Sequence, residues 1–166
     1  MSGDVVIIIL MGVSGCGKTT VGERLAKSLS WEFIEADEFH SAANVEKMAS
    51  GQPLTDEDRA PWLRALRGRI EELVAKGDSA VVACSALRRE ARRLLSEGLD
   101  DVRIVFLWGK RELIAQRLRD RKGHFFDPGL LDSQFEALEE PAQALKVDID
   151  APAESIVNSI ATALLA

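Results

Sequence analysis

The sequence predicts an α/β fold: a five-stranded parallel sheet with helices on both faces. Two observations carry this. Short apolar runs alternate with helix-period segments from one end of the chain to the other, and the first apolar run opens directly into a glycine-rich loop and a helix. Residues 5–11 are apolar throughout, as a strand buried on both faces requires; the run is too short to cross a membrane and has no basic leader before it. Residues 18–29 set Val21, Leu25, Ala26 and Leu29 at helical spacing, and residues 31–36 form a short second strand. Residues 42–50 and 61–75 read as helices, with Gly51 and Pro53 between them. The third strand is predicted at 79–84, a basic helix at 88–96, the fourth strand at 102–108 and another helix at 110–121. The regular pattern lapses at 123–129, a helix follows at 131–139, and a fifth strand at 146–149 precedes a closing helix at 153–165. No repeat, low-complexity tract or linker divides the chain, so one domain spans residues 1–166, with inserts expected at 38–60 and 121–138.

Composition narrows the function classes. The 166 residues suffice for a well-buried core, and 46% hydrophobic with 29% charged residues is the mixture of a soluble globular protein. A formal net charge of −6 with no basic stripe argues against a nucleic-acid partner, and no run is long enough for a membrane partner. Two cysteines, Cys16 and Cys84, make no disulfide framework, which points to a reducing, cytoplasmic setting.

The strongest motif is Gly12-Val-Ser-Gly-Cys-Gly-Lys-Thr19, which fits G-x-x-x-x-G-K-[ST]. Its glycines let the backbone curl until successive N–H groups face one anion, and the following helix adds its positive end. Gly12, Val13, Ser14, Gly15, Cys16, Gly17, Lys18, Thr19 and Thr20 are therefore the candidate nucleotide-phosphate cradle. Lys18 would reach the β- and γ-phosphates of ATP, and the Thr19 hydroxyl would ligate Mg²⁺. Cys16, close to Lys18 and a helix start, is expected to be a reactive thiol.

The third strand ends without a carboxylate, whereas the second runs out through Glu35-Ala-Asp37. Strand ends face the ligand crevice in a parallel sheet, and alternation along a strand would put Glu35 and Asp37 on one side. Glu35 is the candidate for holding the metal through water, and Asp37 for accepting the proton of an attacking hydroxyl. Glu38 is read as solvated.

Several segments together carry a resemblance. They are the glycine loop, Asp37-Glu-Phe-His40, Asn44-Val-Glu-Lys-Met-Ala-Ser-Gly51, Pro53-Leu-Thr-Asp-Glu-Asp-Arg59-Ala-Pro-Trp62, Cys84-Ser-Ala-Leu87, Arg121-Lys-Gly-His-Phe-Phe126 and Gln134-Phe-Glu-Ala-Leu-Glu139. The chain resembles the gluconate kinases, relatives of the shikimate and adenylate kinases, over about residues 5–160. The resemblance implies a P-loop kinase with a substrate-side helical insert at about 38–60 and a lid at about 121–138. The implied reaction transfers phosphate from Mg-ATP to the 6-hydroxyl of D-gluconate. Likeness to adenylate-type kinases makes Arg117 an adenine-stacking residue and Arg121 a lid arginine at the transferring phosphates, so Lys18, Asp37 and Arg121 form the expected catalytic set. Pro152, in the segment 147–152, falls in the adenine-side loop.

Gluconate carries one carboxylate and a row of hydroxyls, so its site needs a forked cation and polar groups. Arg59 and Arg88 are the candidate cations, and Asp37, His40, Ser85 and Gln134 the polar contacts. His124 would either touch phosphate or organise its loop. Arg89, Arg92, Arg93 and Arg119 read as solvated faces, and Trp62 as packing. Kinases of this fold acting on shikimate, a nucleoside monophosphate or another sugar acid are alternatives, and a GTPase-like switch is disfavoured because no N-K-x-D motif is evident. Oligomeric state, a homodimer included, is left open.

Overall fold

The computed structural model describes residues 3–121 and 128–165. Five strands, β1 (Ile7–Met11), β2 (Glu32–Glu35), β3 (Ala80–Ala83), β4 (Val102–Trp108) and β5 (Leu145–Asp148), form one all-parallel sheet in the order β2-β3-β1-β4-β5. Around it lie α1 (Lys18–Leu29), α2 (Ala42–Ala49), α3 (Asp56–Lys76), α4 (Arg89–Ser96), α5 (Arg111–Asp120), α6 (Pro128–Ala137) and α7 (Ala153–Leu165).

The unbroken apolar character of β1 follows from its central place. Side chains alternate along a strand, so Ile7, Ile9 and Met11 join Leu66, Ile70, Leu73 and Leu95 from α3 and α4 in one core. Ile8 and Leu10 point the other way, into a core with Val21 and Leu25 of α1 and Ile156 and Ile160 of α7. Both faces of β1 are thereby covered, as a parallel sheet demands. Since β3 and β4 flank β1 on opposite sides, connections diverge above its carboxyl end and leave the crevice into which the glycine loop projects.

The predicted elements all form, with two corrections. Helix α3 begins at Asp56, five residues ahead of the predicted start, because Thr55 and Asp58 make a reciprocal cap: Thr55 Oγ1 accepts from the Asp58 N–H at 3.1 Å and Asp58 Oδ2 from the Thr55 N–H at 2.9 Å. Pro61 thus lies inside the helix, where it forgoes one backbone hydrogen bond. The second strand stops at Glu35, and residues Ala36–Phe39 turn in a 3-10 helix. Asp37 therefore reaches the crevice from this turn and not by strand alternation with Glu35.

Candidate active site

The glycine loop is shaped by contacts that only glycine allows. A Cβ on Gly12, whose φ is +155°, would lie 2.6 Å from Cys16 Sγ and 2.7 Å from the Leu107 carbonyl; one on Gly15, at φ +84°, would lie 2.7 Å from Leu118 Cγ of α5. Helix α1 then starts at Gly17 with no side-chain cap and no acidic residue in its first turn. Helices α2 and α3, by contrast, are capped by Ser41 and Thr55. An uncapped helix start within a curled loop leaves N–H donors for an anion. The Lys18 ammonium is folded over the loop, donating to the carbonyls of Gly12 at 2.9 Å and Val13 at 3.1 Å.

Above the loop lies a cleft of about 430 Å³. Lys18, Thr19, Thr20, Glu35, Asp37, Arg117 and Arg121 all line it, bringing together seven of the residues singled out from the sequence. The Thr19 hydroxyl donates to Glu35 Oε2 at 2.6 Å. These are hard oxygen donors of the kind Mg²⁺ takes, and no cluster of three or more metal-ligating side chains occurs among the described residues. The pair fits an ion that keeps its waters and phosphate oxygens, not one caged by protein. Arg117 is steadied by donation from Nη2 to the Ile149 carbonyl at 2.8 Å. Arg121 is exposed, with no side-chain hydrogen bond or ion pair among the described residues. Ala151 and Ala153 line the cleft on either side of Pro152, which is itself exposed.

The remaining candidates lie elsewhere. His40 sits just past the 3-10 turn, stacked on Trp62 with ring centroids 4.0 Å apart, and its Nδ1 is 3.4 Å from Asn44 Nδ2. Burial lowers the His40 pKa from its ordinary value, with nearby Asp37 opposing the shift. Arg59 binds back to its own helix start, donating to the Leu54 carbonyl at 2.6 Å and to Asp56. Arg88 is exposed at the start of α4. Ser85 meets the glycine loop through its backbone, its carbonyl accepting from the Gly12 N–H at 3.2 Å. Gln134 of α6 bonds the loop residue Ser14. His124 and residues 122–127 of the expected lid fall outside the described residues.

Three sequence readings are revised. Cys16 is 1% exposed and packed into the core beneath the loop, so it lacks the accessibility a reactive thiol needs. Arg92 is buried, not solvated: its guanidinium donates to the carbonyls of Ala86 at 2.8 Å, Leu87 at 3.0 Å and Glu139 at 2.7 Å, tying the β3–α4 loop to the end of α6. Trp62 does more than fill space, since its indole N–H donates to the Ala36 carbonyl at 2.6 Å and so holds the turn that presents Asp37. Cys84, at the end of β3, is fully buried, which pushes its thiol up to about 12.

A family model described as an AAA domain matches residues 7–145. The thermoresistant gluconokinase of Escherichia coli is 43% identical over 157 residues, covering 92% of this chain and 90% of that protein. The chain belongs to the gluconokinase family. Among solved structures, a gluconokinase from Sinorhizobium meliloti superposes with a TM-score of 0.83 at 41% identity, covering 92% of this chain and 87% of that one. A sugar kinase from a Janibacter species, also 41% identical, reaches 0.88 and covers 95% and 93%. Gluconokinases act on a small molecule, and membership among the P-loop kinases implies ATP as the phosphoryl donor. No described helix is long and apolar enough to cross a membrane.

Proposed function

We propose that this protein transfers the γ-phosphoryl group of ATP to the 6-hydroxyl of D-gluconate, releasing ADP and 6-phospho-D-gluconate. The observation that carries the reading is one cleft, in a chain of the gluconokinase family, where Asp37 faces a phosphate cradle also lined by Lys18, Arg117 and Arg121. The loop and the uncapped start of α1 bind the phosphates, with Lys18 set for their outer oxygens. Mg²⁺ at Thr19 and Glu35 would offset phosphate charge when bound. Asp37 orients the acceptor hydroxyl and takes its proton as the new P–O bond forms and the bond to ADP breaks. Arg121 stabilises charge on the equatorial oxygens of the transferring group, and Arg117 holds the adenine side. His40, Arg88 and Ser85, none of which lines this cleft, remain the proposed gluconate contacts; Arg59, engaged at its own helix start, would have to exchange partners to join them. The chain is proposed to act as one domain in which the segments at 38–60 and 121–138 exclude water from the bound acceptor. The test is ADP release coupled to a reporter, with Mg-ATP and a panel of acceptors. Gluconate should be turned over with the highest kcat/KM; better turnover of shikimate or a nucleoside monophosphate would refute the assignment.

A further inference from the structure

Gln134 and Ser14 are 120 residues apart in sequence, yet two hydrogen bonds join them. The Ser14 N–H donates to Gln134 Oε1 at 2.6 Å, and Gln134 Nε2 donates to Ser14 Oγ at 2.9 Å. The orientation of the carboxamide follows from chemistry. A backbone N–H only donates, so the atom facing it must be the amide oxygen, which leaves the NH₂ facing the hydroxyl. Helix α6 holds Gln134 firmly: Leu131 is buried in the core, Asp132 pairs with Arg111 of α5, and just beyond the helix the Glu139 N–H donates to the Leu87 carbonyl at 2.8 Å.

This double bond pattern has a directional consequence. The Ser14 N–H is spent on Gln134, so it is not among the loop amides that meet phosphate. A serine hydroxyl has one hydrogen and two lone pairs. With one lone pair filled by Gln134, and no acceptor for its hydrogen among the described residues, the O–H is left to point into the cleft that Ser14 lines. We propose that Ser14 donates this hydrogen to an oxygen of the phosphoryl group being transferred, and that Gln134 is the positioning residue that fixes the hydroxyl's polarity. The proposal rests on reading the cleft as a phosphoryl-transfer site. It gives Gln134 a role toward the glycine loop in place of the sugar contact expected from the sequence.

Gln134→Glu is the decisive substitution. A carboxylate accepts from both the Ser14 N–H and the Ser14 hydroxyl, so the clasp persists but the hydroxyl hydrogen turns away from the cleft. The melting temperature should be retained while kcat falls about tenfold or more, the scale of one hydrogen bond to a charged group. Ser14→Ala should lower kcat comparably, the double variant should be no slower than Ser14→Ala alone, and the KM for gluconate should stay unchanged throughout. Wild-type kcat in Gln134→Glu, an equal further loss in the Ser14→Ala background, or a raised gluconate KM would each overturn the proposal. The first would remove the hydroxyl's role, the second would reduce the effect to repulsion of ATP by the new charge, and the third would make Gln134 a sugar ligand. Should Gln134→Glu fail to fold, Ser14→Ala beside Ser14→Thr, which restores a hydroxyl, decides the matter: kcat must be lost in the first and recovered in the second. Acceptor-free ATP hydrolysis, measured on the same variants, separates the two readings. A wild type inert toward gluconate overturns the acceptor alone, whereas absent coupling in both reactions overturns the role of Gln134.

Discussion

Trp62→Phe isolates one hydrogen bond that links the core to the chemistry. The indole N–H of Trp62 reaches the Ala36 carbonyl at 2.6 Å, and Ala36, fully buried, opens the 3-10 turn that carries Asp37. Phenylalanine keeps an aromatic face under His40, stacked here at 4.0 Å, but has no donor. The orphaned carbonyl costs about 1–3 kcal/mol. At about 2–4 °C per kcal/mol for a chain of this size, the melting temperature should drop by roughly 2–12 °C. The catalytic effect should be larger than the thermal one suggests, because a misplacement of about 1 Å at a reacting group costs up to about 100-fold. We expect kcat to fall about 10- to 100-fold with ATP affinity unaltered, since Trp62 packs in one core and the loop residues Val13 and Cys16 in the other. Scanning fluorimetry beside steady-state kinetics and nucleotide titration measures all three quantities. An unshifted melting temperature would show that the bond contributes nothing, and a lowered one with wild-type kcat would show that Asp37 does not depend on Trp62.

Asp37→Asn keeps the shape but loses the carboxylate proposed to accept the proton, so kcat should fall about 10²–10⁴-fold with nucleotide affinity little changed; near-normal turnover would exclude Asp37 as the base. Lys18→Ala should abolish transfer while the apo-protein melts normally, because the ammonium, proposed to act on phosphates, otherwise bonds only atoms of the glycine loop among the described residues. Gly15→Ala should weaken ATP binding, since its Cβ would press on Leu118 at 2.7 Å; calorimetric titration with ATP checks it. His40 has a folded-state pKa below its unfolded value, so it favours the fold fully above about pH 6.5, and this contribution is lost as pH falls below that. His40→Gln should flatten the decline of melting temperature on acidification, and Asp37→Asn, by removing the opposing charge, should lower the His40 pKa further in an NMR titration.

The sheet and most helices were legible because their signals are local. A wholly apolar run means a doubly covered strand, and helical spacing marks the faces of α1 and α7. The start of α3 is less legible than its body, since Pro61 favours a first-turn position while the Thr55–Asp58 capping pattern marks the true start. The placement of the glycine loop and of Asp37 at one cleft was also legible, the first from its motif and the second from its position after β2. The residues that hold the site in place were not. Gln134 meets Ser14 across 120 positions, and Arg92 serves three carbonyls from two separate segments. Composition ranks a helical arginine as solvated, and nothing in the local pattern reveals that its partners come from elsewhere in the fold.

The bare start of α1 has a consequence for the life of the protein as well as its rate. Where α2 and α3 carry their own serine or threonine to close the first turn, α1 leaves that place to whatever anion it binds. Since α1 packs against β1, β2, β3 and α7, its fraying would loosen much of one face of the sheet. A nucleotide at one hundred times its dissociation constant stabilises the folded state by about 2.7 kcal/mol. In this fold that gain falls on the helix at the hub of the second core, so resistance to unfolding and proteolysis would rise and fall with the nucleotide supply.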